Sequence, residues 1–150
     1  MIAQHGIESP FQHLTLFADG SLGAHHAGAG VVVVDRWQHI VAVANRTLPV
    51  MTNNEAEYAG LLLAMEIAHT LHAEFIEVRL DSEVVVFQMI GRFAVNSPAL
   101  RQWHQQAAAL ARHFTKVRYT HIKRERNNIA DALAVEASAG REWRTLLPEG

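Results

Sequence analysis

The chain has 150 residues, 49% of them hydrophobic, 19% charged and none of them cysteine; this suits one globular domain with its own core and excludes disordered chains, disulfide frameworks, thiolate zinc sites and cysteine nucleophiles. Thirteen Lys and Arg against fifteen Asp and Glu leave a formal net charge of −2, so a polyanionic partner has to be held by local groups rather than by a bulk field. No apolar run approaches the roughly 18 residues of a membrane span, and Met1 to Pro10 lacks the basic start and apolar centre of a secretory signal, so the expectation is a soluble, unexported protein; the absence of Cys permits a reducing cytoplasm, and a monomer is a separate expectation.

Residues 1–12 carry Gly6, Ser9 and Pro10 without periodicity and read as a short arm before a domain over 13–140 and a tail over 141–150. Leu14, Leu16 and Ala18 alternate with Thr15, Phe17 and Asp19, a strand that Gly20-Ser21 is expected to end. Val31–Val34 and Ile40–Val43 are β-branched runs joined by Asp35-Arg36-Trp37-Gln38, which predicts a hairpin and three sequential antiparallel strands. From Thr52 the period changes. Apolar residues at 61, 64, 65, 68 and 71 predict a helix to about His72, with Thr52 and Glu55 as a capping box. Phe75–Leu80 returns to alternation, Ser82–Ile90 is a short helix closed by Gly91, and Ser97-Pro98 opens a third helix running to about Phe114. Lys116–Ile122 is the fifth strand, and Asn127 or Asn128 caps a last helix to about Ala139. The order predicts an α/β domain: a mixed five-stranded sheet, three antiparallel strands and then two parallel ones, with helices on both faces.

Four carboxylates stand out within that frame. Glu57 falls in the middle of the apolar face of the 52–72 helix, where a carboxylate needs a partner, a hydrogen bond or a proton unless it is simply wet at the sheet edge. Asp81 closes the fourth strand, at the end where open α/β sheets usually carry chemistry. Asp19 closes the first and Asp131 opens the last helix. Taken singly, an N-cap explains Asp81, an Asp-Gly turn explains Asp19 and the helix dipole explains Asp131. Convergence is not explained that way, because strands one and four are expected to be neighbours and both helices to start near the same edge. Clustered anions repel each other, and hard divalent cations on all-oxygen ligands, Mg²⁺ or Mn²⁺, relieve that repulsion.

The motifs Phe17-Ala18-Asp19-Gly20-Ser21, Ala27-Gly28-Ala29-Gly30, Thr52-Asn53-Asn54-Glu55-Ala56-Glu57-Tyr58, Leu80-Asp81-Ser82 and Asn127-Asn128-Ile129-Ala130-Asp131-Ala132-Leu133-Ala134, in this order, resemble type 1 ribonuclease H over about residues 13–139. The resemblance implies a catalytic and metal-binding set of Asp19, Glu57, Asp81 and Asp131 holding two Mg²⁺, or Mn²⁺, that cuts the RNA strand of RNA/DNA hybrids and leaves 5'-phosphate and 3'-hydroxyl ends. It also implies substrate contacts at Asn53, Asn54 and Ser82, where capping by Thr52, Asn54 and Ser82 is an equally good reading. Main-chain groups at Gly20 and Ser21 are the expected readers of the 2'-hydroxyl.

This chain departs from the family in places. Gly23-Ala24-His25-His26-Ala27 replaces a common Asn-Pro-Gly loop, and only 50 positions, 131 minus 81, separate Asp81 from Asp131, too few for the Lys-rich extra helix of some members. Phe93-Ala94-Val95-Asn96-Ser97-Pro98 resembles the compact branch, with Asn96 at a position often basic there. Fewer phosphate contacts predict weaker, salt-sensitive binding. Arg124, seven positions before Asp131, matches an Arg position of the compact branch and is expected to steer the scissile phosphate or help product leave; His121 is its rival, and a solvated charge is the plainer reading. Trp37, Trp103 and Trp143 are read as packing residues rather than base platforms. Two other outcomes stay open on the sequence alone: the same fold acting on another nucleic acid, and a binding module without turnover.

Overall fold

The computed structural model describes residues 11–142 and the backbone of 144–146. The first ten residues of the expected arm, and Trp143 and residues 147–150 of the expected tail, lie outside the described residues. The elements follow the order β1 (His13–Leu22), β2 (Ala27–Asp35), β3 (Ile40–Leu48), α1 (Asn53–Thr70), β4 (Phe75–Leu80), α2 (Glu83–Met89), α3 (Pro98–Ala111), β5 (Lys116–His121), α4 (Asn128–Ser138) and β6 (Arg144–Leu146). The sheet runs β5-β4-β1-β2-β3 as expected, and the three-residue β6 extends it antiparallel beyond β3. β1 is antiparallel to β2 and parallel to β4, so the chain's direction of travel across the sheet reverses at β1. No helix among the described residues is long and apolar enough to cross a membrane.

Local chemistry sets most boundaries. Thr52 and Glu55 form the reciprocal capping box of α1, with the Glu55 amide donating to Thr52 Oγ1 over 3.2 Å and the Thr52 amide donating to Glu55 Oε1 over 3.1 Å. Ser82 and Ser97 cap α2 and α3, and Gly91 follows α2 in the left-handed region at φ 82°.

Two expectations change. β1 does not stop at Gly20-Ser21 but continues to Leu22, because Gly20 and Ser21 pair with Ala29 and Gly28 of an early-starting β2. The Asp-Gly turn signal yields to cross-strand pairing. The helix α1 is buried around most of its circumference, rather than on one broad face, because the sheet covers one side and α3 the other.

The layers meet closely at one corner. α1 lies on the face formed by Leu14, Leu16 and Ala18 of β1 and Val31 and Val33 of β2, while α4 lies on the opposite face against Val32 and Val34. A methyl group on Gly60 of α1 would stand 2.6 Å from the Asp19 carbonyl oxygen, and one on Gly20 would collide with the backbone of Ala56. On the other face Gly28 and Gly30 meet the α4 backbone at Ala134 and Ala130 in the same way. Only hydrogen fits between helix and strand at these points.

Candidate active site

The corner brings the acidic residues together. Asp19 sits inside β1 opposite Gly30, held in the ladder rather than in a turn. The Gly20 amide donates to Asp19 Oδ1 over 2.9 Å and to Glu57 Oε1 over 3.2 Å, so one N–H faces two carboxylates. Glu57, on the second turn of α1, is 4% exposed, and its other oxygen Oε2 is buried without a partner. The plain reading of Glu57 as a wet edge residue therefore fails. Asp81 follows β4 and is half-buried. One carboxylate oxygen from each of Asp19, Glu57 and Asp81 falls within 4.8 Å of the others. Asp131, half-buried in the first turn of α4, stands outside this compact trio but lines the same cleft.

Crowding and burial have an electrostatic consequence. Burial is the largest cause pushing both the Asp19 and Glu57 carboxyls above the ordinary carboxylate range. The charge of Asp81 pushes both further, and that of Asp19 adds to the effect on Glu57. A site with this many anionic oxygens and one unpaired buried oxygen fits a hard divalent cation, because all-oxygen donor sets favour Mg²⁺ or Mn²⁺ over softer metals.

The trio has an organiser that the sequence reading took only for a cap. Asn127 precedes α4 and is 1% exposed, yet its side chain makes no capping hydrogen bond. Its Nδ2 donates to the Ala18 carbonyl over 2.8 Å and to Asp81 Oδ2 over 3.0 Å, while its main-chain carbonyl accepts the Asp131 amide over 3.0 Å. One residue thus ties β1 beside Asp19, Asp81 after β4 and Asp131 on α4. Its place at the head of a repeated Asn pair, inside the last motif, was the available signal, but helix capping accounted for it without any distant partner.

The cleft measures about 510 Å³ and is lined by Gly20, Ser21, Asn53 and Arg124 as well as the four carboxylates. Arg124 lies on an exposed 3-10 turn over Arg124–Arg126. Thr52 and Ser82 do not line the cleft; their side chains cap α1 and α2, and Asn54 stands half-buried in the first turn of α1 away from the cleft wall. His121 is exposed on β5 with its ring 6.5 Å from that of Phe87, outside the cleft. Trp103 donates from Nε1 to Glu55 Oε2 over 3.0 Å and ties α3 to the start of α1.

A mixed sheet ordered β3-β2-β1-β4-β5, with acids where β1 and β4 approach the starts of α1 and α4, defines the ribonuclease H-like class. Residues 17–137 match the model of a family described as reverse transcriptase-like. Ribonuclease HI of Halobacterium salinarum is 40% identical over 111 residues, which is 74% of this chain and 56% of that protein. The crystal structure of RNase H1 from the same archaeon superposes with a TM-score of 0.83 at 35% identity, covering 86% of this chain and 99% of that one. LC11-RNase H1, solved in complex with an RNA/DNA hybrid, gives a TM-score of 0.79 at 30% identity over 85% of this chain and 97% of its own. The bifunctional protein Rv2228c of Mycobacterium tuberculosis is 38% identical over 118 residues, 79% of this chain and 32% of that protein, so the chain spans about a third of one curated relative and little over half of the other. The chain belongs to the ribonuclease H family, in its compact type 1 branch.

Proposed function

We propose that the 13–140 domain is an endoribonuclease that hydrolyses the RNA strand of RNA/DNA hybrids with two bound Mg²⁺, Mn²⁺ being an alternative, and leaves 5'-phosphate and 3'-hydroxyl ends. The observation that carries this reading is the meeting of Asp19, Glu57 and Asp81 oxygens within 4.8 Å around a buried, unpaired Glu57 Oε2. Asp19, Glu57 and Asp81 would hold the ions, with Asp131 completing the set from α4. When bound, such ions lower the pKa of a water and offset charge on the phosphate and leaving oxygen.

The protein's own groups do the rest. Asn127 keeps Asp81 turned toward Asp19, and the Gly20 amide orients both Asp19 and Glu57. Gly20, Ser21 and Asn53 line the cleft where a ribose would lie, and reading the 2'-hydroxyl there separates RNA from DNA. Thr52, Asn54 and Ser82, at the N-terminal ends of α1 and α2, are outer contacts for the sugar-phosphate backbone. Arg124 offers its guanidinium to the scissile phosphate or the departing product from a cleft wall whose other charged residues, among those described, are acidic. A monomer in the cytoplasm belongs to the same proposal.

The test is incubation with labelled RNA/DNA hybrid, duplex RNA and duplex DNA, each with Mg²⁺, Mn²⁺ or EDTA. Cleavage of only the RNA strand of the hybrid, dependent on metal, is expected. Cleavage of duplex RNA or DNA in its place points to a different substrate on the same fold, and binding without cleavage in either metal points to a binding module.

A further inference from the structure

The sheet face that carries Asp19 and Phe17 is covered by α4 over β1, β2 and β3. Beyond α4, toward β4 and β5, this face has no helix packed on it among the described residues. Alternation along the strands fixes what it presents. Val78 and Leu80 of β4 point to the buried side, leaving Phe75, Glu77 and Arg79 on the outer side, and β5 adds the exposed Lys116 and Arg118 beside them. A depression of about 350 Å³ forms there, with Arg36, Arg79, Lys116 and Arg118 around it and His13 and Phe75 in its floor. The rings of His13 and Phe75 are stacked, centroids 4.8 Å apart at 15°. On the β2–β3 hairpin, between the lining residues Arg36 and Gln38, Trp37 is 59% exposed with the Arg36 guanidinium 5.5 Å from its ring centre. Among the described residues Glu77 is the one acid lining the depression, and Arg79 engages it over 2.7 Å.

We propose that this face is a second nucleic-acid contact, which takes a single strand flanking the hybrid by pairing Lys116 and Arg118 with its phosphates and stacking its bases on Trp37 and the His13–Phe75 pair. The proposal rests on the function above for the identity of the polyanion, and charge complementarity selects that polyanion on a chain whose net charge is −2. Cations on an edge strand also guard it against pairing with another sheet, which accounts for Lys116 and Arg118. Edge protection does not account for Arg36 and Trp37 on a hairpin tip, nor for a ring stack on the two inner strands β1 and β4. Cations interleaved with rings suit unpaired bases, whose faces are free, better than a duplex, whose faces are occupied, or an acidic peptide, which has no use for the rings. The face is continuous with the cleft along β4, since Arg118 lies opposite Glu77, four residues or about 13 Å of strand from Asp81.

The experiment uses the full chain in EDTA, where no cleavage competes, and follows fluorescence anisotropy of labelled single-stranded DNA and RNA of about 12 nucleotides across a salt series. Lys116→Glu/Arg118→Glu is expected to weaken binding at least tenfold and to lower the log–log salt slope by about 1.4, the loss of two single-strand phosphate contacts. Trp37→Ala is expected to weaken binding about tenfold, the lower range of one lost base stack. In Mg²⁺ both variants should cleave blunt hybrid at the parent rate but lose the lower KM that a single-stranded flank gives the parent. Unchanged strand binding in both variants overturns the proposal, as does an oligoglutamate that binds the face as tightly as the oligonucleotides. Failure of the parent to cleave blunt hybrid in Mg²⁺ would count against the hydrolase reading alone, because the strand-binding measurement involves no turnover.

Discussion

Glu57 and Asp131 reach the same cleft from opposite faces of the sheet, and they are held on different terms. Glu57 stands on an 18-residue helix packed between sheet and α3, is 4% exposed and accepts from the Gly20 amide. Asp131 stands half-buried on an 11-residue helix that follows an exposed 3-10 turn carrying Arg124. Both helices are seated by packing on the sheet, and the second is tied to β1 and Asp81 in addition through the side-chain amide of Asn127. A compact trio with a fourth, less buried carboxylate beside it is the arrangement this difference describes.

The strongest way to break that picture is Asp81→Asn. Cleavage of hybrid should fall by about 10³-fold or more, while the melting temperature in EDTA stays level or rises because one repelling charge has gone. Single-turnover cleavage at the parent rate would end the trio's claim to the chemistry.

Next in size is Asn127→Ala, which strips donors from the Ala18 carbonyl and Asp81 and costs about 1–3 kcal/mol in stability. Its kcat and its Mn²⁺ affinity, read from the electron paramagnetic resonance signal of free Mn²⁺, should both fall, with KM for hybrid little changed. A loss confined to KM would mean that the α4 side binds substrate rather than positioning carboxylates.

Arg124→Ala should lower turnover only about tenfold, a modest loss for one exposed charge. A deficit as deep as that of Asp81→Asn would move Arg124 into the essential set.

The smallest effect is on stability against pH. Asp19 and Glu57 have carboxyls pushed up in the folded state, chiefly by burial, so the folded chain holds protons that the unfolded chain releases. Their stabilising contribution is complete below the ordinary carboxylate range and is lost as pH rises from there through neutrality. Metal-free protein should therefore melt a few degrees lower at alkaline than at mildly acidic pH, Mg²⁺ should reverse the drop, and Glu57→Gln should flatten it. A flat profile in the parent protein would show that the trio is not strained by its own charge.

How far the sequence reaches follows the range of the forces involved. β4, the capping box of α1 and the Gly91 stop of α2 are written in neighbouring residues, and the structure keeps those boundaries. The meeting of Asp19, Glu57 and Asp81 was accessible through topology, since a strand order with β1 beside β4 brings their ends together. The continuation of β1 through Gly20 was not, because a local turn signal competes there with pairing to a strand whose start is itself Gly- and Ala-rich. Asn127 was hidden for the same reason: its partners lie 109 and 46 positions away, while its local role as a cap is sufficient and, in the folded chain, unused. The pairing of β6 with β3 leaves no alternating pattern in three residues.

The glycines of the corner carry a wider consequence. Gly20 clears one side of β1 and Gly28 and Gly30 clear the other side of β2, so the three-layer sandwich is thinnest where the acids stand. Carboxylates from helices on opposite sides can line one cleft across that thin spot, as they could not across a sheet of ordinary thickness. An engineer who thickened it with alanine would drive the two helices apart and separate the charges that repel. Such a substitution sets durability and chemistry against each other at the same few atoms.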